Sequence, residues 1–284
     1  MAADPLVFGA VAGLQDALVR IGEDVDRLFD IALEVPADPR ERLFRAMRHA
    51  AIGGGKRLRP LLVTAACDLF HVDRGRALRV GLAVECIHVY SLIHDDLPCM
   101  DDDDLRRGKP TVHRAFDEAT AVLAGDSLHA LAFELLADER THEDPFVRSE
   151  LVAEQTALDL GAVTRLQQLK TGALIGFCLE AGGIMGRVPA DGRTPLRGYA
   201  RDVGLAFQIA DDLLDHEGEE AKTGKRVGKD TARGKETFVS LLGPERARQQ
   251  ANLLAGQAIQ YLAGFGAEAD LLRAIARFAV ERDH

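Results

Sequence analysis

Apolar residues recur along this chain at three- and four-residue intervals, and alternation with a period of two is hard to find. The pattern predicts helices near residues 11–33, 39–51, 60–70, 75–97, 117–137, 146–160, 163–185, 195–217, 235–262 (broken near Gly243) and 267–282. Asp38-Pro39-Arg40-Glu41 reads as an N-cap, a proline at the first helical position and a capping-box glutamate. Asp144-Pro145, Thr194-Pro195 and Gly243-Pro244-Glu245 read as further starts. Gly53-Gly54-Gly55, Gly182-Gly183 and Gly264-Phe265-Gly266 read as breaks. No Pro/Ser-rich linker, low-complexity tract or short repeat divides the chain, so residues 1–284 are expected to form a single all-α domain.

One predicted helix stands apart. Its segment "RVGLAVECIHVYSLI", residues 79–93, is apolar nearly all the way round, which suits the centre of a bundle. Glu85 and His88 interrupt it, and periodicity alone reads His88 as a hydrogen-bonded core histidine. The helix delivers Asp95 and Asp96 to one mouth of the bundle, where six aspartates fall within residues 95–104. Asp102–Asp104 read equally well as a solvated loop. A second acidic motif, "FQIADDLLD", spans residues 207–215. Asp211 and Asp215 lie about 40° apart around a helix axis, with Asp212 in the same arc. Such clustering is destabilising unless cations offset it. Hard oxygen donors without His or Cys point to Mg2+, completed by water and phosphate oxygens. A calcium loop is the alternative, but the EF-hand spacing is missing.

Charge sharpens this picture. The net charge is −10 and the pI near 5.4, which argues against a general nucleic-acid surface. Local basic clusters therefore need a specific reason. Arg106, Arg107 and Lys109 follow the first acidic motif; residues 222–235 hold six Lys/Arg against Asp230; "GGGKRLRP" sets Lys56, Arg57 and Arg59 beside three glycines. Glycines let backbone N–H groups approach an anion, and arginine grips phosphate oxygens bidentately. This is not a P-loop, because Ala50 stands where its first glycine belongs. Basic clusters alternating with acidic ones imply two anion sites, one bridged by metal and one held directly by bases.

Cys67, Cys86, Cys99 and Cys178 stand singly in segments that read as helical, and are expected to be buried packing residues of a reducing compartment. The N-terminus lacks the basic start of a signal peptide, and no charge-free apolar stretch is long enough to span a bilayer. A soluble, cytoplasmic protein is expected.

Taken in order, "GGGKRLRP", "HDDLPCMDDDDLRRGKPTVH", Gly125-Asp126, "KTGALI" from Lys170, "FQIADDLLD", and "GKRVGKD" followed by Gly234-Lys235 resemble the motifs of the trans-prenyltransferase (polyprenyl synthetase) family. The likeness is to its bacterial farnesyl diphosphate synthase branch and runs from about Leu43 to Leu242. It implies an all-α isoprenoid synthase bundle around a central cavity, working as a homodimer on small isoprenoid diphosphates. It implies three Mg2+ ions, with ligands matching Asp95, Asp101 and Asp211 and with Asp96, Asp212 and Asp215 in support. Lys56, Arg59, His88 and Arg107 match the isopentenyl diphosphate site, which gives His88 a role that periodicity does not. Arg106, Lys225 and Lys235 match groups that hold the allylic diphosphate, and Lys170, Thr171 and Gln208 match polar groups near the reacting carbon. Pro98 interrupts the helix and is expected to let Asp101 turn back toward Asp95.

The implied reaction condenses isopentenyl diphosphate with dimethylallyl or geranyl diphosphate to farnesyl diphosphate. Tyr90, five residues before Asp95 and so about 7.5 Å along the helix, matches an aromatic floor that stops the product at fifteen carbons. A plain core tyrosine is the other reading of that position. Geranylgeranyl diphosphate synthesis is the alternative activity. A terpene cyclase or head-to-head condensing enzyme does not need the isopentenyl site, and non-catalytic partner subunits typically lack an aspartate motif that is intact here.

Overall fold

A computed structural model describes residues 5–164, 168–217 and 238–281, with side chains described for 13–156, 172–216 and 238–281. Among these residues the chain forms α1 (Pro5–Ala32), α2 (Glu41–Ala51), α3 (Leu58–Asp68), α4 (Arg74–Asp95), β1 (Leu105–Arg106), β2 (Lys109–Pro110), α5 (Val112–Ala115), α6 (Glu118–Ala137), α7 (Pro145–Thr164), α8 (Gln168–Met185), α9 (Thr194–Glu217), α10 (Phe238–Leu242), α11 (Pro244–Tyr261) and α12 (Asp270–Glu281). A 3-10 turn, Ala267–Ala269, precedes α12. The all-α expectation holds, and the elements group into two units.

The first unit comprises residues 17–64 and 73–152. Here α4 packs along α6, with α2 and the short α5 against them. Asp73 caps α4 by accepting a hydrogen bond from the Arg76 N–H, and Asp117 caps α6 through the Thr120 N–H. Gly125 on α6 lies under His94 of α4; a Cβ there would stand 2.1 Å from the imidazole Nε2. Both helices are long and apolar enough to cross a membrane, but two thirds of α4's apolar window is buried inside the protein. The tiny β1–β2 hairpin is not visible in the hydrophobic pattern, because two-residue strands cannot show alternation. Its turn, Arg107-Gly108, has φ of +52° and +74°, as a two-residue hairpin turn of the primed kind requires.

The second unit comprises residues 1–16, 65–72 and 153–284. Its centre is α9, packed on α8 and α11. Ala206, Ile209 and Leu213 of α9 share a core with Val239, Ala247, Ala251 and Leu254. The buried Tyr199 hydroxyl donates to the Leu272 carbonyl at 2.7 Å, so α9 also holds α12.

Three expectations need correction. Helix α2 begins at Glu41, and Asp38 does not cap it: its carboxylate accepts from the Arg40 N–H and guanidinium, forming a turn ahead of the helix. Gly182 and Gly183 do not break α8. They are small because neighbours come close: a Cβ on Gly182 would lie 2.6 Å from the Ala66 carbonyl carbon, and one on Gly183 2.6 Å from the Arg193 side chain. Cys67, Cys86 and Cys178 are buried, but Cys99 is exposed in the turn beyond α4, outside any helix.

Candidate active site

Helix α4 ends at Asp95 because Pro98 is near: the residue before a proline is pushed out of helical conformation. The chain then coils back on the helix end. The Asp101 N–H donates to the Asp95 carbonyl at 2.8 Å, and the Asp102 N–H to the Leu97 carbonyl at 3.1 Å. Asp95 and Asp101, six positions apart in sequence, thus become backbone neighbours, both half-buried. Asp96 is different. It is buried, and both its oxygens accept from Arg106 Nε, at 2.7 and 2.9 Å, with Arg106 Nη2 at 2.5 Å. Burial pushes the Asp96 carboxyl above the usual range, and the guanidinium opposes that push. Asp102 is exposed, and Asp104 pairs with Arg114 at 2.5 Å.

Arg106, Arg107 and Lys109 line one cleft with Asp96. The Arg107 guanidinium lies over Gly54 and Gly55; a Cβ on Gly55 would stand 2.6 Å from its Cζ. Arg107 retains solvent access, yet desolvation lowers its pKa, with Glu85 opposing and Arg57, Arg106 and Arg59 adding to the depression. Three other guanidinium groups thus act on Arg107, a concentration of positive charge that favours an anion beside it. Arg59, at the start of α3, has a buried Nε with no hydrogen-bond partner among the described residues. Lys56 is exposed in the loop before α3, and His88 is half-buried on α4. A cleft of about 500 Å3, its open mouth included, is lined by Gly53, Gly54, Ile93, Asp96, Arg106 and Arg107 among others. Tyr90, half-buried, meets the His129 ring of α6 edge-on at 4.8 Å between centroids and the His94 ring at 5.8 Å.

In the second unit, α9 carries Gln208, Asp211, Asp212 and Asp215. Asp211 is exposed; Gln208, Asp212 and Asp215 are half-buried. Asp212 Oδ2 accepts from the Phe238 N–H at 3.1 Å, tying α9 to the start of α10. Lys170 and Thr171 fall in the first turn of α8, where side chains are outside the described residues, as are Lys225 and Lys235 altogether.

The family model for polyprenyl synthetase matches residues 40–275. The chain belongs to the polyprenyl synthetase family. The farnesyl diphosphate synthase of Bacillus subtilis is 41% identical over 269 residues, covering 87% of this chain and 91% of the relative. A chloroplastic geranylgeranyl pyrophosphate synthase of Arabidopsis thaliana is 40% identical over 277 residues, with 88% and 77% covered. An apo crystal structure of a FPP/GFPP synthase from Zymomonas mobilis superposes with a TM-score of 0.84 at 57% identity, covering 95% of this chain and 99% of the other. The molecule is thus a prenyltransferase with the all-α isoprenoid synthase fold.

The donor set of this polyprenyl synthetase suits magnesium. Among the described residues no three carboxylates, imidazoles or thiols stand together as a ready cage. Asp95 and Asp101 are instead joined through their backbones at a helix end, and Mg2+ commonly takes one or two carboxylates and completes its shell with water and substrate phosphate. Sequence reasoning left Glu85 without a role and Arg57 as one base in a cluster. In this polyprenyl synthetase they form a buried ion pair at 2.7 Å. A glutamate inside an otherwise apolar helix was the available signal, since a buried carboxylate needs a cation.

Proposed function

We propose that this polyprenyl synthetase is a Mg2+-dependent short-chain prenyltransferase that condenses isopentenyl diphosphate with dimethylallyl or geranyl diphosphate, with farnesyl diphosphate as main product. The observation that carries the reading is the backbone pairing of Asp101 with Asp95, with Arg59 and Arg106 close enough to act on Arg107 in the same unit. The name of the Bacillus relative supports the product. Asp95, Asp101 and Asp211 are assigned to hold Mg2+, with Asp212 and Asp215 in support. When bound, Mg2+ offsets the charge that develops on a departing diphosphate.

The remaining work belongs to side chains. Arg106, held in place by Asp96, binds the allylic diphosphate together with Lys225 and Lys235. Lys56, Arg59, His88 and Arg107 bind isopentenyl diphosphate without metal. The allylic C–O bond breaks and its electron pair leaves with the diphosphate. Gln208, Lys170 and Thr171 turn dipoles toward the positive carbon. The isopentenyl double bond then attacks, and a proton is lost to the departed diphosphate, since no assigned residue is a dedicated base. The same reading has residues 1–284 act as one catalytic domain in a cytoplasmic homodimer, supported by a family match that takes in parts of both units.

The Arabidopsis relative favours a second reading, geranylgeranyl diphosphate synthesis. Chromatography of products made from isopentenyl diphosphate and each allylic primer, with and without chelator, tests both. Fifteen-carbon product that vanishes on chelation is expected. Undiminished turnover after exhaustive chelation overturns the metal assignment, and mainly twenty-carbon product favours the second reading.

A further inference from the structure

Arg57 stands between Lys56 and Arg59, yet the proposed reaction does not use it. It is 4% exposed and has a backbone φ of +49°, a conformation L residues seldom adopt. Its Nη1 meets Glu85 Oε1 at 2.7 Å and its Nη2 meets Asp26 Oδ1 at 2.6 Å; Nη2 also donates to the Ala51 carbonyl. The guanidinium carbon lies 5.6 Å from the centre of the Phe29 ring. The second oxygen of Asp26 accepts from the Gly53 N–H at 3.2 Å. One side chain thereby joins α1, the end of α2 and α4, and its partner Asp26 pins the first glycine of the loop.

The location of this network argues for a role beyond stability. A buried ion pair adds little net stability compared with apolar residues of the same volume. A planar guanidinium with several directed donors does fix geometry. The segment it spans, Gly53–Lys56, holds three glycines and so has little conformational preference of its own. Glu85 lies one helical turn before His88 and on the same face of α4. Arg107 rests on Gly54 and Gly55. Every group assigned to isopentenyl diphosphate is thus on, beside, or one turn from an element that Arg57 ties down.

We propose that Arg57, gripped by Glu85 and Asp26, is a positioning residue for the isopentenyl diphosphate site: it sets the glycine loop against α4 so that Lys56, Arg59, His88 and Arg107 meet a single diphosphate. The proposal rests on the assignment of that site made above. Arg57→Lys keeps the charge but loses the fork. It is expected to raise KM for isopentenyl diphosphate about tenfold, with KM for geranyl diphosphate changed by less than about twofold. Asp26→Asn touches the half-buried end of the network, leaves the buried Arg57–Glu85 pair intact, and is expected to raise the same KM by about threefold. KM does not depend on the fraction of enzyme that is folded. A merely structural role therefore lowers melting temperature and active-site concentration with both KM values unchanged, and that result overturns the proposal. Lys56→Ala, run in parallel, separates the two readings. If it raises KM for isopentenyl diphosphate while Arg57→Lys and Asp26→Asn do not, the positioning role falls and the site stands. If Lys56→Ala leaves that KM unchanged, the site assignment falls and the positioning role falls with it.

Discussion

At Gly55 two independent constraints act in the same direction. Its φ of +85° favours glycine, and its missing Cβ leaves the space in which Arg107 lies. Gly55→Ala is expected to cost ~1–2 kcal/mol in backbone strain and to push the Arg107 guanidinium aside. The arginine tip is flexible, so the protein should fold; steady-state kinetics should show a raised KM for isopentenyl diphosphate and a nearly unchanged one for the allylic partner. Asp95→Ala and Asp211→Ala each remove a proposed metal ligand beside developing charge. Turnover should fall by several orders of magnitude with the circular dichroism of the helices retained. Near-normal rates in either variant would show the metals to be elsewhere.

Among elements, α8 and α6 offer contrasting tests. In an exposed helix, Gly→Ala gains about 1 kcal/mol of propensity. On α8 the new methyl of Gly182→Ala would press on the backbone of Ala66, whose carbonyl carbon and oxygen lie 2.6 and 2.8 Å from the ideal Cβ. Backbone cannot step aside as a side-chain tip can, so overpacking of ~1–3 kcal/mol should outweigh propensity. Thermal unfolding should show a net loss of stability. At the start of α6 the Thr120 N–H and hydroxyl, with Arg42, hold the Asp117 carboxyl down at about 2. A depressed carboxylate contributes its stabilisation above its ordinary pKa and loses it as pH falls through the folded value. The cap should therefore weaken only below about pH 3, and an NMR titration of Asp117 should place its midpoint near 2. A midpoint near the ordinary value of 3.8 would mean that the cap is not formed in solution.

For the whole molecule, product length is the property that integrates the rest. Tyr90 lies edge-on to His94 of α4 and His129 of α6, so its ring is braced from both of these helices. If that ring is the floor of the chain-elongation space, wild type should stop mainly at fifteen carbons and Tyr90→Ala should make twenty or more. Removing a partly buried ring also leaves a cavity, so the comparison is made on variant enzyme with measured active-site concentration. An active variant with an unchanged product profile would remove Tyr90 from product control.

Much of this was legible before any coordinates. Helical periodicity and the start signals at Asp144-Pro145 and Gly243-Pro244 placed most elements, because amphipathic spacing and proline's fixed φ act within a few residues. The return of Asp101 to Asp95 was also local, set by Pro98. What chain neighbours could not reveal were contacts between residues far apart in sequence. The glycines of α8 look like breaks until Ala66 and Arg193 are seen against them. Arg57 looks like one more phosphate ligand until Glu85, Asp26 and Ala51 are found around it. Local patterns encode which conformations the backbone prefers. Which charge is exposed to bind substrate, and which is buried to hold the binding loop, depends on partners that only folding brings within hydrogen-bonding distance.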